Sequence, residues 1–277
     1  MTVASPPSEV ALPVAPTENA LLGGKVRLLQ AADGYRAGVD AALLAAAVSA
    51  RPGERVLEAG CGVGAVLTQI AVRRPGVLLT GIERDATAVD LAGRNVVLNF
   101  LEGRMAVRQG DVASGFKALA LERFDWAISN PPFFDDETAL RAPSPAKRGA
   151  WIADDGLAVW TRFLTDGVCD GGRIVVIHRA DRLADLLALL GERCGSFAIR
   201  PVQPYADVPA KRVLVEAVCG GRAPLRLLPA LVLHDRSGAK HTAEAEAILP
   251  GEAGLDGEKK QSPKSVKSTG TGSKPID

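Results

Sequence analysis

Val56-Leu57-Glu58-Ala59-Gly60-Cys61-Gly62-Val63-Gly64 (VLEAGCGVG) is an apolar strand carrying one acid, followed by glycine at every second position. A helical pattern then runs from about Gly64 to Arg73. Glycine in such a turn leaves bare backbone that a ligand can approach closely. Open parallel sheets bind their ligands at the carboxyl ends of the strands. The stretch therefore predicts a fold and the position of its site.

The sequence on either side alternates. Strands are expected at Lys25–Gln30, Arg55–Ala59, Val77–Ile82, Met105–Gln109, Phe124–Ser129 and Arg173–His178. Helices are expected at Gly38–Ala50, Ala86–Phe100, Ser114–Leu121, Leu157–Val168 and Leu183–Arg193. Strands separated by helical stretches mark βαβ units and a parallel sheet. Ser196–Val202 and Arg212–Val218 have no helix between them, which predicts an antiparallel terminal hairpin. The expected class is α/β: a Rossmann-like, mostly parallel sheet with helices on both faces. One domain spans 20–250. A leader of residues 1–19, rich in Pro, Ser and Ala, and a tail of residues 251–277, rich in Lys, Ser and Gly, read as disordered.

Composition narrows the function classes. The chain has 277 residues, 47% of them hydrophobic, enough for one large core. A net charge of +1 argues against nonspecific coating of nucleic acid but permits a local basic patch. Cys61, Cys169, Cys194 and Cys219 form no CxxC pair, and the three histidines are scattered, so no metal site is expected. Few, unpaired cysteines fit a reducing cytoplasm. No apolar run approaches the roughly 20 residues of a membrane span. The first residues lack a basic segment followed by an apolar one. A cytoplasmic monomer without membrane contact is expected.

Two kinds of ligand compete for the glycine turn. Gly60, Gly62 and Ala65 satisfy the GxGxxA form of a dinucleotide turn. Glu58, however, would repel a pyrophosphate and attract an ammonium group. Glu83 closes the next strand and suits ribose hydroxyls with either ligand. Asp111 closes the third and suits the amino group of an adenine. Any one of these acids could simply cap a helix. Three in order, each closing a successive strand, favour a cofactor with an ammonium, a ribose and an adenine.

On these residues the chain resembles the class I S-adenosylmethionine-dependent methyltransferases, over roughly residues 50–220. The resemblance implies S-adenosyl-L-methionine as cofactor and a seven-stranded sheet with one reversed strand. It implies a cofactor site of Glu58, Gly60, Cys61, Gly62, Gly64, Glu83, Arg84, Asp111, Val112 and Asn130. Tyr35, beside Arg36, is placed at the rim of that site, with packing on the sheet edge as the alternative.

A second motif follows the fourth of these strands: Ile128-Ser129-Asn130-Pro131-Pro132-Phe133-Phe134. Proline lacks an N–H and drives the residue before it away from helix. In the resembled family, Asn-Pro-Pro-aromatic marks enzymes that methylate a conjugated amino nitrogen. That nitrogen is a poor nucleophile until it pyramidalises, and acceptors on its two N–H bonds favour the change. Asn130 and Pro131 are the implied catalytic pair. Pro132 and Phe133 are implied to hold the target, and base–aromatic stacking is worth about 1–3 kcal/mol.

The flanks, from Gln30 to Leu44 and Val208 to Leu214, with Leu231 to His234, are similar to bacterial methyltransferases of an adenine amino group in a tRNA(Val) anticodon loop. That resemblance covers roughly residues 22–249 and implies tRNA as partner. This chain has Glu58 where many members have Asp, and Phe133 where many have Tyr. Arg141, Lys147 and Arg148 form a basic cluster after the NPPF motif, and Arg179, Arg182, Lys211 and Arg212 add charge further on. The alternatives are a protein glutamine amide, an amino nitrogen of rRNA or DNA, a dehydrogenase, or a noncatalytic module.

Overall fold

The computed structural model describes residues 15–32, 36–132, 155–236 and 238–255. In chain order the strands are β1 (Thr17–Leu21), β2 (Val26–Gln30), β3 (Arg55–Ala59), β4 (Leu78–Glu83), β5 (Met105–Gln109), β6 (Phe124–Ser129), β7 (Val168–Arg179), β8 (Cys194–Gln203), β9 (Arg212–Cys219), β10 (Arg226–Leu227) and β11 (Leu231–Val232). The helices are α1 (Val39–Ala47), α2 (Ala65–Arg73), α3 (Ala86–Leu98), α4 (Asp155–Gly167), α5 (Leu183–Gly191) and α6 (Ala243–Ile248).

The main sheet has the order β10-β8-β9-β7-β6-β3-β4-β5, with β11 also on β8. β9 runs antiparallel to both β7 and β8, as the absence of a helix between β8 and β9 predicts. The seven strands from β8 to β5 are the expected mostly parallel sheet with one reversed strand. The two-residue strands β10 and β11 extend it past β8 and were not expected.

Helices cover both faces, because successive strand residues point to opposite sides. Val56, Trp126, Ile128, Val175 and Ile177 pack in one core with α1 and α2. Leu57, Ala127, Ile174 and Val176 pack in the other with α4 and α5.

Three expectations change. The helix at Ser114–Leu121 is instead two short 3-10 turns, Val112–Ser114 and Phe116–Leu119, because Gly115 between them has φ 78°. The leader ends earlier than residue 19, since β1 begins at Thr17 and pairs antiparallel with β2. A two-stranded ribbon is marginal alone, and α3 supplies its support. Asn99 Oδ1 accepts the Arg27 N–H at 2.9 Å and Asn95 Oδ1 accepts that of Leu29 at 2.7 Å. The amide groups of Asn99 and Asn95 donate back to the Arg27 and Leu29 carbonyls. Spaced i,i+4 on one helix face, the two asparagines stand in for a missing strand. The tail starts later than residue 251: Leu255 donates its N–H to the Ala46 carbonyl at 3.1 Å, and Arg73 holds the Ala253 carbonyl at 3.0 Å. Residues 1–14 and 256–277 lie outside the described residues.

Candidate functional site

The strand register gathers the site. Ala59 is paired with Ile82 on one side and with Ser129 on the other. Glu83 is paired with Gln109. Gly60, Glu83, Asp111 and Asn130 therefore lie at or just past the carboxyl ends of four neighbouring strands, and the chain order reverses between β3 and β6. That is the switch point at which open α/β sheets bind ligands.

The glycine turn is tied to β4. Gly60 and Cys61 donate their N–H groups to the Ile82 carbonyl at 2.8 and 3.0 Å. Gly62 N–H donates to Glu83 Oε2 at 3.0 Å, and the other oxygen of Glu83 accepts the Asp85 N–H at 2.9 Å. Gly60 has φ 68° and Gly62 φ 54°, a left-handed conformation that other residues rarely adopt. A Cβ on Gly62 would have nothing within 4 Å, so the turn presents open backbone there. Gly64 precedes the first turn of α2 as its N-cap. Cys61 is buried, and a side chain on Gly81 would collide with its sulfur. Arg84 follows Glu83 at the surface, its carbonyl accepting from the Gln109 amide.

Glu58 is only 2% exposed, and its Oε2 has no hydrogen-bond partner among the described residues. Burial, and next the charge of Glu83, push its carboxyl well above the usual range, while a backbone N–H of Leu67 works the other way. A buried carboxylate with an orphan oxygen is costly until a cation reaches it. The ammonium of S-adenosylmethionine fits that requirement, and a pyrophosphate does not. Asp111 is exposed and caps the turn after β5, its Oδ1 accepting the Ala113 N–H at 2.9 Å. Val112 beside it is buried.

On the other side of the switch point, Ser129 donates its hydroxyl to the Ala59 carbonyl at 2.9 Å and locks β6 to β3 at the site. Asn130 follows, half-buried, with Pro131 buried and Pro132 half-buried. Tyr35, Phe133, Arg141, Lys147 and Arg148 lie outside the described residues. The described residues that flank Tyr35 in sequence are bonded to β1 and β2. Gln30 Oε1 accepts the Ala37 N–H at 2.8 Å, and Arg36 donates to Asn19 Oδ1 at 2.9 Å. Asn95 also donates to the Val63 carbonyl at 2.9 Å, tying the N-terminal ribbon to the glycine turn.

The structure brings together two pairs of cationic residues from separate segments, Arg179 with Arg182 and Lys211 with Arg212. Arg179 at the end of β7 is paired with Arg212 at the start of β9, and Ala180 N–H donates to the Lys211 carbonyl. Each arginine has an acidic partner: Arg212 with Asp40 at 3.1 Å, Arg182 with Asp185 at 2.8 Å, and Arg179 with Asp181. His178 is buried among them. Desolvation first, and then Arg182, Arg179 and Arg212, lower its pKa to about 4, with Asp181 opposing.

Sequence reasoning missed Trp160, Asn95 and His178. Trp160 comes from α4, and its ring stands against Gly60. No local pattern announces that contact. The Asn95/Asn99 spacing was a readable signal, since two amides one helical turn apart match two residues of a strand edge.

Among the described residues, no group of three or more His, Cys, Asp or Glu could hold a metal ion, and no helix is long and apolar enough to cross a membrane.

Residues 36–142 match the family model "Methyltransferase small domain". That segment contains both VLEAGCGVG and ISNPPFF. A release factor glutamine methyltransferase of Rhodopirellula baltica is 30% identical over 158 residues, covering 54% of this chain and 52% of that protein. The chain thus spans about half the length of that relative. A tRNA1(Val) (adenine(37)-N6)-methyltransferase of Porphyromonas gingivalis is 29% identical over 195 residues, covering 65% of this chain and 73% of that protein. A crystal structure from Agrobacterium tumefaciens, described as a predicted O-methyltransferase, superposes with a TM-score of 0.65 at 26% identity, covering 78% of this chain and 98% of that one.

Proposed function

We propose that the chain is an S-adenosylmethionine-dependent methyltransferase that methylates the exocyclic amino group of adenine in the anticodon-loop region of a tRNA, a reading supported by the matched family model and by the tRNA-modifying relative. The observation that carries the reading is the register of β3 with β6, which sets Asn130-Pro131-Pro132 beside the glycine turn. S-adenosylmethionine supplies the electrophilic methyl group. Glu58, Gly62, Glu83 and Asp111 hold the cofactor along the ends of β3, β4 and β5. The side-chain oxygen of Asn130 and the carbonyl of Pro131 accept hydrogen bonds from the two N–H groups of the target nitrogen. Those acceptors favour the pyramidal, partly cationic nitrogen that attacks. Holding the groups in line contributes about 7–11 kcal/mol. As the N–C bond forms the S–C bond breaks, S-adenosylhomocysteine leaves, and the methylated nitrogen, now acidic, gives its proton to solvent, so no strong base is needed. His178, the histidine next to the end of β7, is a buried neutral group.

The tRNA reading is supported by the cations at the ends of β7 and β9, which suit phosphate contacts. It is supported too by the larger share of the tRNA-modifying relative that the chain spans, 73% against 52%. A glutamine side-chain amide in a protein is the second reading, favoured by the similarity to the release factor methyltransferase. Its planar nitrogen would meet the same acceptors.

The test is methyl transfer from labelled S-adenosylmethionine into total bacterial RNA and, separately, total bacterial protein, with digestion and identification of the labelled unit. Label on an adenine amino group in tRNA is the expected result. Label on glutamine would keep the chemistry and replace the substrate.

A further inference from the structure

Gly60 carries no side chain for a second reason besides its backbone angle. A Cβ there would lie 2.4 Å from Cη2 and 2.9 Å from Cζ3 of Trp160. The rim of the indole therefore rests directly on the first glycine of the turn. Trp160 belongs to the face of α4 that also presents Leu157, Phe163 and Leu164. Those three are buried, whereas Trp160 is only half-buried. It packs on the edge of that core and faces the carboxyl ends of the strands, where an aliphatic residue would have sufficed to fill space.

The position matters because of what flanks it. Glu58, with its orphan oxygen, lies two residues before Gly60. Asn130 follows Ser129, the register partner of Ala59, and so adjoins Gly60 across the strand pair. A cofactor whose ammonium meets Glu58 and whose methyl meets a nitrogen held by Asn130 must carry its sulfonium between them, past Gly60. We propose that Trp160 borders this place and holds the positively charged sulfonium by cation–aromatic attraction, so that the site prefers the charged methyl donor to its neutral thioether product. The proposal rests on the assignment of S-adenosylmethionine to this edge. An aromatic face attracts a cation and gains nothing comparable from a neutral sulfur. Such a preference would also speed exchange of spent cofactor for fresh.

The test uses the full chain and two ligands, S-adenosylmethionine and S-adenosylhomocysteine, titrated calorimetrically. Trp160→Leu should weaken binding of the methyl donor about 3- to 10-fold, the range of a partly exposed cation–aromatic contact. It should leave the product's affinity within about 2-fold, while Trp160→Phe should keep most of the discrimination. Emission gives a second readout. Trp126 is buried toward the other end of the strands and bonds Glu54 at 2.9 Å, so it should not respond. With Trp151, the third tryptophan of the sequence, replaced by Phe throughout, a change in tryptophan emission on adding the methyl donor should appear when Trp160 is present and vanish in Trp160→Phe.

Equal weakening of both ligands in Trp160→Leu would overturn the proposal and leave a steric wall. Unchanged affinities, or an emission change that survives in Trp160→Phe in the Trp151→Phe background, would remove Trp160 from the site. Failure of the wild type to bind either ligand would instead overturn the cofactor assignment, and this proposal with it.

Discussion

Where β3, β4 and β5 end, the chain places Glu58, Glu83 and Asp111; where β7 ends and β9 begins, it places Arg179, Arg182, Lys211 and Arg212. Asn130 stands at the boundary between the two sets. The acidic half suits a cationic cofactor with hydroxyls to bind. The basic half suits a polyanion, although its arginines already have carboxylate partners. The halves also differ in how they are held. The acidic half is fixed by backbone N–H groups of the glycine turn and the starts of helices, which a sequence motif encodes within a few residues. The basic half is assembled from two segments by sheet pairing, and no short motif encodes it.

The largest expected effect strikes the acidic half. Gly60→Ala forces an alanine into a left-handed angle and against Trp160. The angle costs about 1–2 kcal/mol and the overlap about 1–3 kcal/mol. Denaturant unfolding should show a loss of about 2–5 kcal/mol, the sum of those two contributions. Gly60→Ala combined with Trp160→Leu should recover the overlap and not the angle. Full tolerance of Gly60→Ala would mean that the turn is not held as described.

The next effect belongs to the basic half. Burial and cations lower the pKa of His178 from 6.5 to about 4. The native state then refuses a proton that the unfolded chain accepts. The associated stability is fully present above about pH 6.5 and is lost as the pH falls through about 4, amounting to roughly 3 kcal/mol at most. Urea unfolding at pH 7 and pH 4.5 should show that loss in the wild type and a smaller one in His178→Gln. Equal acid sensitivity in both proteins would mean that burial and the surrounding cations do not hold this histidine neutral.

Glu58 sharpens the comparison from the opposite sign. Burial and the charge of Glu83 raise its carboxyl, which favours the protonated form, and on the proposed assignment the arriving ammonium favours the ionised one. Affinity for S-adenosylmethionine should rise with pH, by up to about 10-fold per unit below the raised pKa, since one proton is released. Glu58→Gln should bind about 10-fold more weakly, without that pH dependence, the loss of a buried charge partner. A flat pH profile in the wild type would contradict that proton release.

The smallest effect is at the rim. Lys211→Glu should lower kcat/KM for RNA by about 3- to 10-fold at low salt and much less at high salt, as phosphate contacts do. Cofactor affinity should not change. If the variant acts through cofactor binding, the two halves are not separate.

Much of the fold was legible because each strand from β3 to β9 carries its own apolar run, and each crossover its own helical period. The acids were legible because each closes a strand. The N-terminal ribbon was not, since the partners of its outer edge are the amides of Asn95 and Asn99, 66 and 72 residues away. The Ser114–Leu121 helix failed at a single residue, Gly115, whose angle interrupts it. The contact of Trp160 with Gly60 depends on how α4 packs across the sheet, which local pattern does not specify. Phe133, Arg141, Lys147 and Arg148, together with Tyr35, lie outside the described residues.

The division of labour at the boundary can be tested in one protein. Asn130→Ala should bind S-adenosylmethionine by calorimetry within about 2-fold of the wild type, because the cofactor is held mainly by the acidic half, while single-turnover methyl transfer falls by about 100-fold or more, as when a placed polar group is lost from an active site. Near-normal transfer, or a loss of cofactor affinity as large as the loss of transfer, would contradict the assignment of Asn130 as the acceptor of the target nitrogen.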